Sequence, residues 1–78
     1  MNEFEIAQKL GASSYLLYRI IQKNYTLTLR EIQCESGMSE MGVYNNLKKL
    51  EDTGIIEVIR SRYKGINNQY KTADNWRL

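Results

Sequence analysis

The sequence predicts an α+β fold in which three helices lead into a C-terminal β-hairpin. Three observations predict it. Two helical apolar patterns meet at a turn that carries a glycine, Gly37, and a hydroxyl cap, Ser39. The second pattern runs on through Leu47 and Leu50 and stops at Gly54. Behind that stop stand the apolar, β-branched residues Ile55, Ile56, Val58 and Ile59, then a basic glycine-containing turn and a second strand-like stretch. At 78 residues the chain is expected to form one domain around one small core.

Residues 1–12 carry Phe4, Ile6 and Leu10 and leave two readings open, a short helix or an extended arm packed on the body. Gly11 breaks that run. Ser13 or Ser14 then offers an N-cap hydroxyl for a helix from about Ser14 to Asn24. Leu16, Leu17, Ile20 and Ile21 recur at helical spacing and give it an apolar face, flanked by Tyr15 and Tyr18. Leu27 is expected to form a short β-bridge. The next helix opens at Thr28, where Thr28-Leu29-Arg30-Glu31 places a hydroxyl at the cap and a carboxylate three residues on. Its core contacts come from Leu29 and Ile32, with Cys34 or Met38. Gly37 suits the left-handed residue that ends a helix.

The third helix starts at Ser39, and residues 13–53 make up the three-helix core. Val43, Leu47 and Leu50 stand at i, i+4 and i+7, one stripe toward the core. The opposite side carries Glu40, Met41, Gly42, Tyr44, Asn45 and Lys48. The hairpin is expected over residues 55–73, its turn running from Arg60 to Asn68 around Gly65 and its return strand from Gln69 to Ala73. Residues 74–78 form a tail in which Trp76 or Leu78 folds back onto the body.

Composition narrows the function classes. One Cys and no His exclude an internal disulfide and disfavour a zinc site. Without His or a recognisable carboxylate pair, no catalytic constellation stands out, and no glycine-rich phosphate loop is present. The expectation is a non-enzyme with no cofactor, no metal and no small-molecule ligand. Cys34 reads as a buried or half-buried small apolar residue, not a redox sensor. No apolar run approaches the roughly 20 residues of a membrane span, and no basic-then-apolar segment opens the chain. A cytoplasmic protein without membrane contact is expected. Net charge is only +2, yet it is unevenly spread. Residues 1–57 hold six Lys/Arg against eight Asp/Glu, whereas residues 58–78 hold five against one. A basic end on a near-neutral body suits local contact with phosphate.

Two stretches carry a family resemblance. T-L-R-E-I followed by G-M-S-E-M-G-V-Y-N-N-L resembles the helix-turn-helix of bacterial regulators. L-K-K-L-E-D-T-G-I-I-E-V resembles the L-x-x-L-E-x-x-G-[LI]-[IV] junction of winged helices, carried by Leu47, Leu50, Glu51, Gly54, Ile55 and Ile56. From Thr28 to Thr72 the chain looks like a winged helix-turn-helix DNA-binding domain. Similar stretches occur in MarR-like and GntR-like repressors and in phage or plasmid replication initiators. The resemblance implies a sequence-specific binder of double-stranded DNA that regulates transcription. Two alternatives stay open: a DNA-binding module of a plasmid or phage replication or partition protein, and a winged helix that binds another protein instead of DNA.

The candidate contacts follow from that resemblance and from the helical face. On the third helix they are Ser39, Met41, Gly42, Tyr44, Asn45 and Lys48. The outer face has Gly42, Tyr44, Asn45 and Asn46 and no Arg, so an Arg-to-guanine contact is not expected; Asn45 suits adenine, and Met41 or Tyr44 suits thymine methyls. Glu40 would repel phosphate unless it accepts from a cytosine amino group. On the wing they are Arg60, Arg62, Tyr63, Lys64 and Asn67, facing the backbone or the minor groove. Phe4, Ile6, Leu10, Trp76 and Leu78 are spare apolar residues available to a homodimer interface.

Overall fold

A computed structural model describes residues 2–24, 26–60 and 68–73. Four helices and three short strands follow one another: α1 (Glu3–Leu10), α2 (Ala12–Lys23), β1 (Leu27–Thr28), α3 (Leu29–Ser36), α4 (Glu40–Asp52), β2 (Ile56–Ile59) and β3 (Gln69–Thr72). The expected three-helix core and hairpin are present, preceded by an additional helix. Among the described residues no helix is long and apolar enough to cross a membrane.

The N-terminal segment is a helix whose start is closed by its own side chains. Asn2 accepts from the Glu5 amide at 2.9 Å, and the Glu5 carboxylate accepts from the Asn2 amide at 3.2 Å, a reciprocal cap. Hydrogen bonding to Lys9 and to the Asn2 backbone holds the Glu5 carboxyl below its ordinary value. Ile6 is fully buried, so it belongs to the core and is not a spare interface residue; Phe4 is 70% exposed. Glu3 anchors α1 to α2, accepting from the Tyr18 hydroxyl at 3.0 Å and the Gln22 amide at 3.1 Å.

Gly11 ends α1 and also caps α2. Its φ of 101° is open to glycine, and it turns the chain so sharply that α2 begins at once. The Tyr15 amide already donates to the Gly11 carbonyl at 3.1 Å. Neither Ser13 nor Ser14 is therefore the N-cap; both lie inside the first turn, and α2 starts two residues earlier than expected. Its buried stripe is Ser14, Leu17, Tyr18 and Ile21. Leu16 is 43% exposed, which corrects the expected apolar face, and Tyr18 is core where a flanking position was expected.

The later caps match their sequence signals. Thr28 accepts from the Glu31 amide, and the Glu31 carboxylate accepts from the Thr28 amide at 2.9 Å. Gly37 ends α3 in the left-handed region at φ 71° and ψ 10°. Ser39 caps α4 by accepting from the Gly42 amide at 3.1 Å. Cys34, in contrast, is exposed. On a helix of only eight residues, Leu29 and Ile32 with the following Met38 fill the contact with the core, and Cys34 is left on the outer side.

Gly54 reverses the backbone at φ 78°. The sheet is antiparallel in the order β1-β3-β2, with Leu27 and Val58 both paired to Tyr70. Ile56 and Tyr70 are buried toward the helices, while Glu57 and Lys71 pair across the other face at 3.6 Å. One core cluster joins Ile6, Leu17, Tyr18, Ile21, Ile32, Val43, Leu47, Leu50, Ile55 and Ile56. The expected turn centre at Gly65 and the tail residues Trp76 and Leu78 lie outside the described residues.

Candidate nucleic-acid interface

Helix α4 is the element that everything else presents. Its buried stripe is Val43, Leu47 and Leu50. At about 100° per residue, Met41, Tyr44, Asn45 and Lys48 fall on the opposite side of the helix. The structure agrees: Met41 is 67% and Tyr44 52% exposed, and Asn45 and Lys48 are exposed as well. Large apolar surface on an exposed helix is unusual unless it meets something. The stripe offers an amide, a thioether, a phenol and an ammonium in one row.

The start of this helix is tightly built. Ser39 is exposed, but its hydroxyl is engaged in the cap with Gly42. A Cβ on Gly42 would come within 3.1 Å of the Ser39 hydroxyl and 3.5 Å of the Met38 methyl. Gly42 therefore keeps the first turn compact. Glu40 does not share the outer stripe. It lines a recess of about 140 Å³ with Leu29, Arg30 and Gln33 of α3, beside a cation.

The hairpin supplies the second part. A polar cleft of about 150 Å³ lies between α4 and the sheet, lined by Tyr44, Lys48 and Glu51 on one wall and Arg60, Asn68 and Tyr70 on the other. Arg60 donates to the Glu51 carboxylate at 3.0 Å, which ties the end of β2 to the last turn of α4. Arg60, a candidate phosphate contact, thus shares its guanidinium with a carboxylate. Burial pushes the Tyr70 phenol up from its ordinary value, with the Arg60 charge opposing, so it remains a neutral hydroxyl at physiological pH. The other wing candidates, Arg62, Tyr63, Lys64 and Asn67, lie outside the described residues.

Two participants, Tyr70 and Glu51, escaped the sequence reading, and a third, Asn46, does not lie on the outer face where the sequence sets it. Tyr70 and Glu51 enter the cleft only through the pairing of a strand with a helix end, and no local spacing announces such a meeting. Asn46 sits between the core stripe and the outer stripe and is turned inward: its amide oxygen accepts from the buried Ser14 hydroxyl at 2.8 Å. Thirty-two residues separate that pair, so no periodicity in either helix marks it.

No curated protein matches the chain. A family model described as winged helix-turn-helix DNA-binding matches residues 14–57, more than half of the chain. The match begins at buried Ser14 in α2 and ends inside β2, so it spans the two helices of the turn, the helix that braces them and the junction into the sheet. With the capped turn, the outward-facing α4 and the hairpin behind it all in place, this chain belongs to the winged helix-turn-helix DNA-binding family.

Proposed function

We propose that the protein is a sequence-specific double-stranded DNA-binding protein that acts as a transcriptional regulator. In this reading α4 enters the major groove and the β2–β3 hairpin lies along the adjacent backbone. The observation that supports it best is the exposed row of Met41, Tyr44, Asn45 and Lys48, turned away from a buried stripe. Asn45 is the base reader, since an amide presents a donor and an acceptor side by side and matches adenine. Met41 and Tyr44 supply apolar contact to thymine methyls, and Lys48 meets a phosphate. Ser39 and Gly42 lie at the end of α4 that first reaches the groove; there small size and a satisfied cap allow close approach. The cleft between α4 and the sheet offers Lys48, Arg60 and the Tyr70 hydroxyl to the sugar-phosphate backbone.

The test has two stages. Fluorescence anisotropy at low salt measures binding to random duplex DNA, and selection from a random duplex library then recovers a preferred site. Binding to both, with the selected site favoured by about a thousandfold or more, is expected of a specific reader. A folded protein that binds no duplex at low salt overturns the proposal and points to a winged helix that docks on another protein. Equal affinity for all duplexes removes the regulator reading and leaves a non-specific binder.

A further inference from the structure

We propose that the hydrogen bond from buried Ser14 to half-buried Asn46 is a positioning device that sets the rotation of α4 about its own axis, and thereby selects which side chains face a DNA groove. The inference rests on the DNA-reading role of α4 proposed above and adds the residues that aim it.

Ser14 is the only polar residue among the described core positions, with no exposed surface. Its hydroxyl donates to the Asn46 amide oxygen at 2.8 Å, and the Asn46 amide nitrogen donates to the Gly42 carbonyl at 2.7 Å. The Gly42 amide in turn donates to the Ser39 hydroxyl. A continuous chain of hydrogen bonds thus runs from the cap of α4 through its first turns into α2. Both ends of the Asn46 amide are committed, so its orientation is fixed.

Around that bond α2 and α4 share an apolar cluster, in which Leu17 and Ile21 join Val43, Leu47 and Leu50. Such contacts hold two helices together but tolerate small rotations, because they are not directional. A hydrogen bond is directional and weakens steeply off its axis. A helix about 11 Å across that turns by 20° moves its outer side chains by about 2 Å. That shift is enough to break a bidentate contact between an amide and a base edge. Asn46 is the anchor and its neighbour Asn45 is the reader: one faces in so that the other is aimed. Loss of Ser14 leaves the amide oxygen of half-buried Asn46 without its donor, and α4 relieves that penalty by turning.

Two variants and two measurements test this. Ser14→Ala removes the donor alone. Ser14→Ala with Asn46→Leu replaces both partners by apolar groups, which restores satisfaction without direction. The first measurement needs no DNA: amide residual dipolar couplings report the orientation of α4 relative to α2. The second is the ratio of affinity for the site selected by the wild type over random duplex. In Ser14→Ala the couplings of α4 should shift while its helicity persists. The ratio should fall about tenfold or more, with random-duplex affinity within about twofold of wild type. The double variant should regain the melting temperature and not the ratio. Unchanged α4 couplings in Ser14→Ala overturn the proposal, and so does a double variant that regains selectivity together with stability, since the bond is then a packing feature. If the wild type binds no duplex, the proposed function fails on its own, and the couplings alone decide whether Ser14 sets the rotation of α4.

Discussion

Asn45 and Asn46 are chemically identical neighbours with opposite surroundings. Asn46 is engaged by Ser14 and Gly42, whereas Asn45 is exposed on the row with Met41 and Lys48. Asn45→Ala should therefore weaken the selected site by about 1–3 kcal/mol and leave random duplex nearly unchanged. Equal losses on both, measured by anisotropy titration, would show that Asn45 reads no base. Arg60 has a different constraint. Its ion pair with Glu51 is largely solvated, and such pairs contribute about 0–1 kcal/mol. Glu51→Gln should release the guanidinium and remove a negative charge from the cleft. Affinity for all duplexes should rise alike, by up to about fivefold at low salt. A fall in affinity would mean that Glu51 orients Arg60 for contact instead of restraining it. Cys34 shows how exposure overrides composition: a lone cysteine reads as core, yet this one lies on the outer side of α3.

At the scale of elements, α4 carries two stripes, and the fold depends on the inner one. Leu50 has no exposed surface and stands where α4 meets α2 and the start of the sheet. Leu50→Ala should cost about 2–5 kcal/mol through an unfilled cavity, measured by urea unfolding. A variant that unfolds at the wild-type midpoint would mean that the cavity collapses at no cost. How much of each element was legible depends on how local its signal is. The caps at Thr28 and Ser39 and the left-handed Gly37 could be read because hydroxyl, carboxylate and glycine act within three or four residues. The stripe on α4 could be read because its period is internal to the helix. The start of α2 was missed because two serines imitate a cap while Gly11 performs the turn. Leu16 was assigned to the wrong side because four apolar residues in α2 exceed what its buried stripe holds. Of the candidate interface, the outer row of α4 was legible. The Arg60–Glu51 tie and the Ser14–Asn46 bond were not, since each joins elements whose meeting is decided by the whole fold.

Over the whole molecule, charge is sorted by region, with the net positive charge lying after residue 57. Contact with phosphate releases counterions, so log affinity should fall with log salt by about 0.9 for each phosphate neutralised. Replacing Arg62 and Lys64 by Gln together should flatten that slope by roughly 1–2 units and weaken every duplex alike. Titrations between low and physiological salt check it, and an unchanged slope would place those two residues away from the backbone.

The strand order has a consequence in time as well as in space. Among the described strands β3 is the middle one of the sheet and the last in sequence, so there β1 and β2 pair with no strand until it arrives. The four helices, by contrast, are contiguous apart from β1, and they meet through short loops that close quickly. The chain should therefore collapse first as a helical cluster, with Ile55 and Ile56 waiting at its edge. The bond from the Ala73 amide to the Ile55 carbonyl, at 2.9 Å, should be among the last to form. Pulse-labelled hydrogen exchange during refolding measures this order directly, and sheet amides protected before those of α2 and α4 would reverse it. On a ribosome, the helix proposed to read DNA is synthesised well before the strand that completes the sheet behind it.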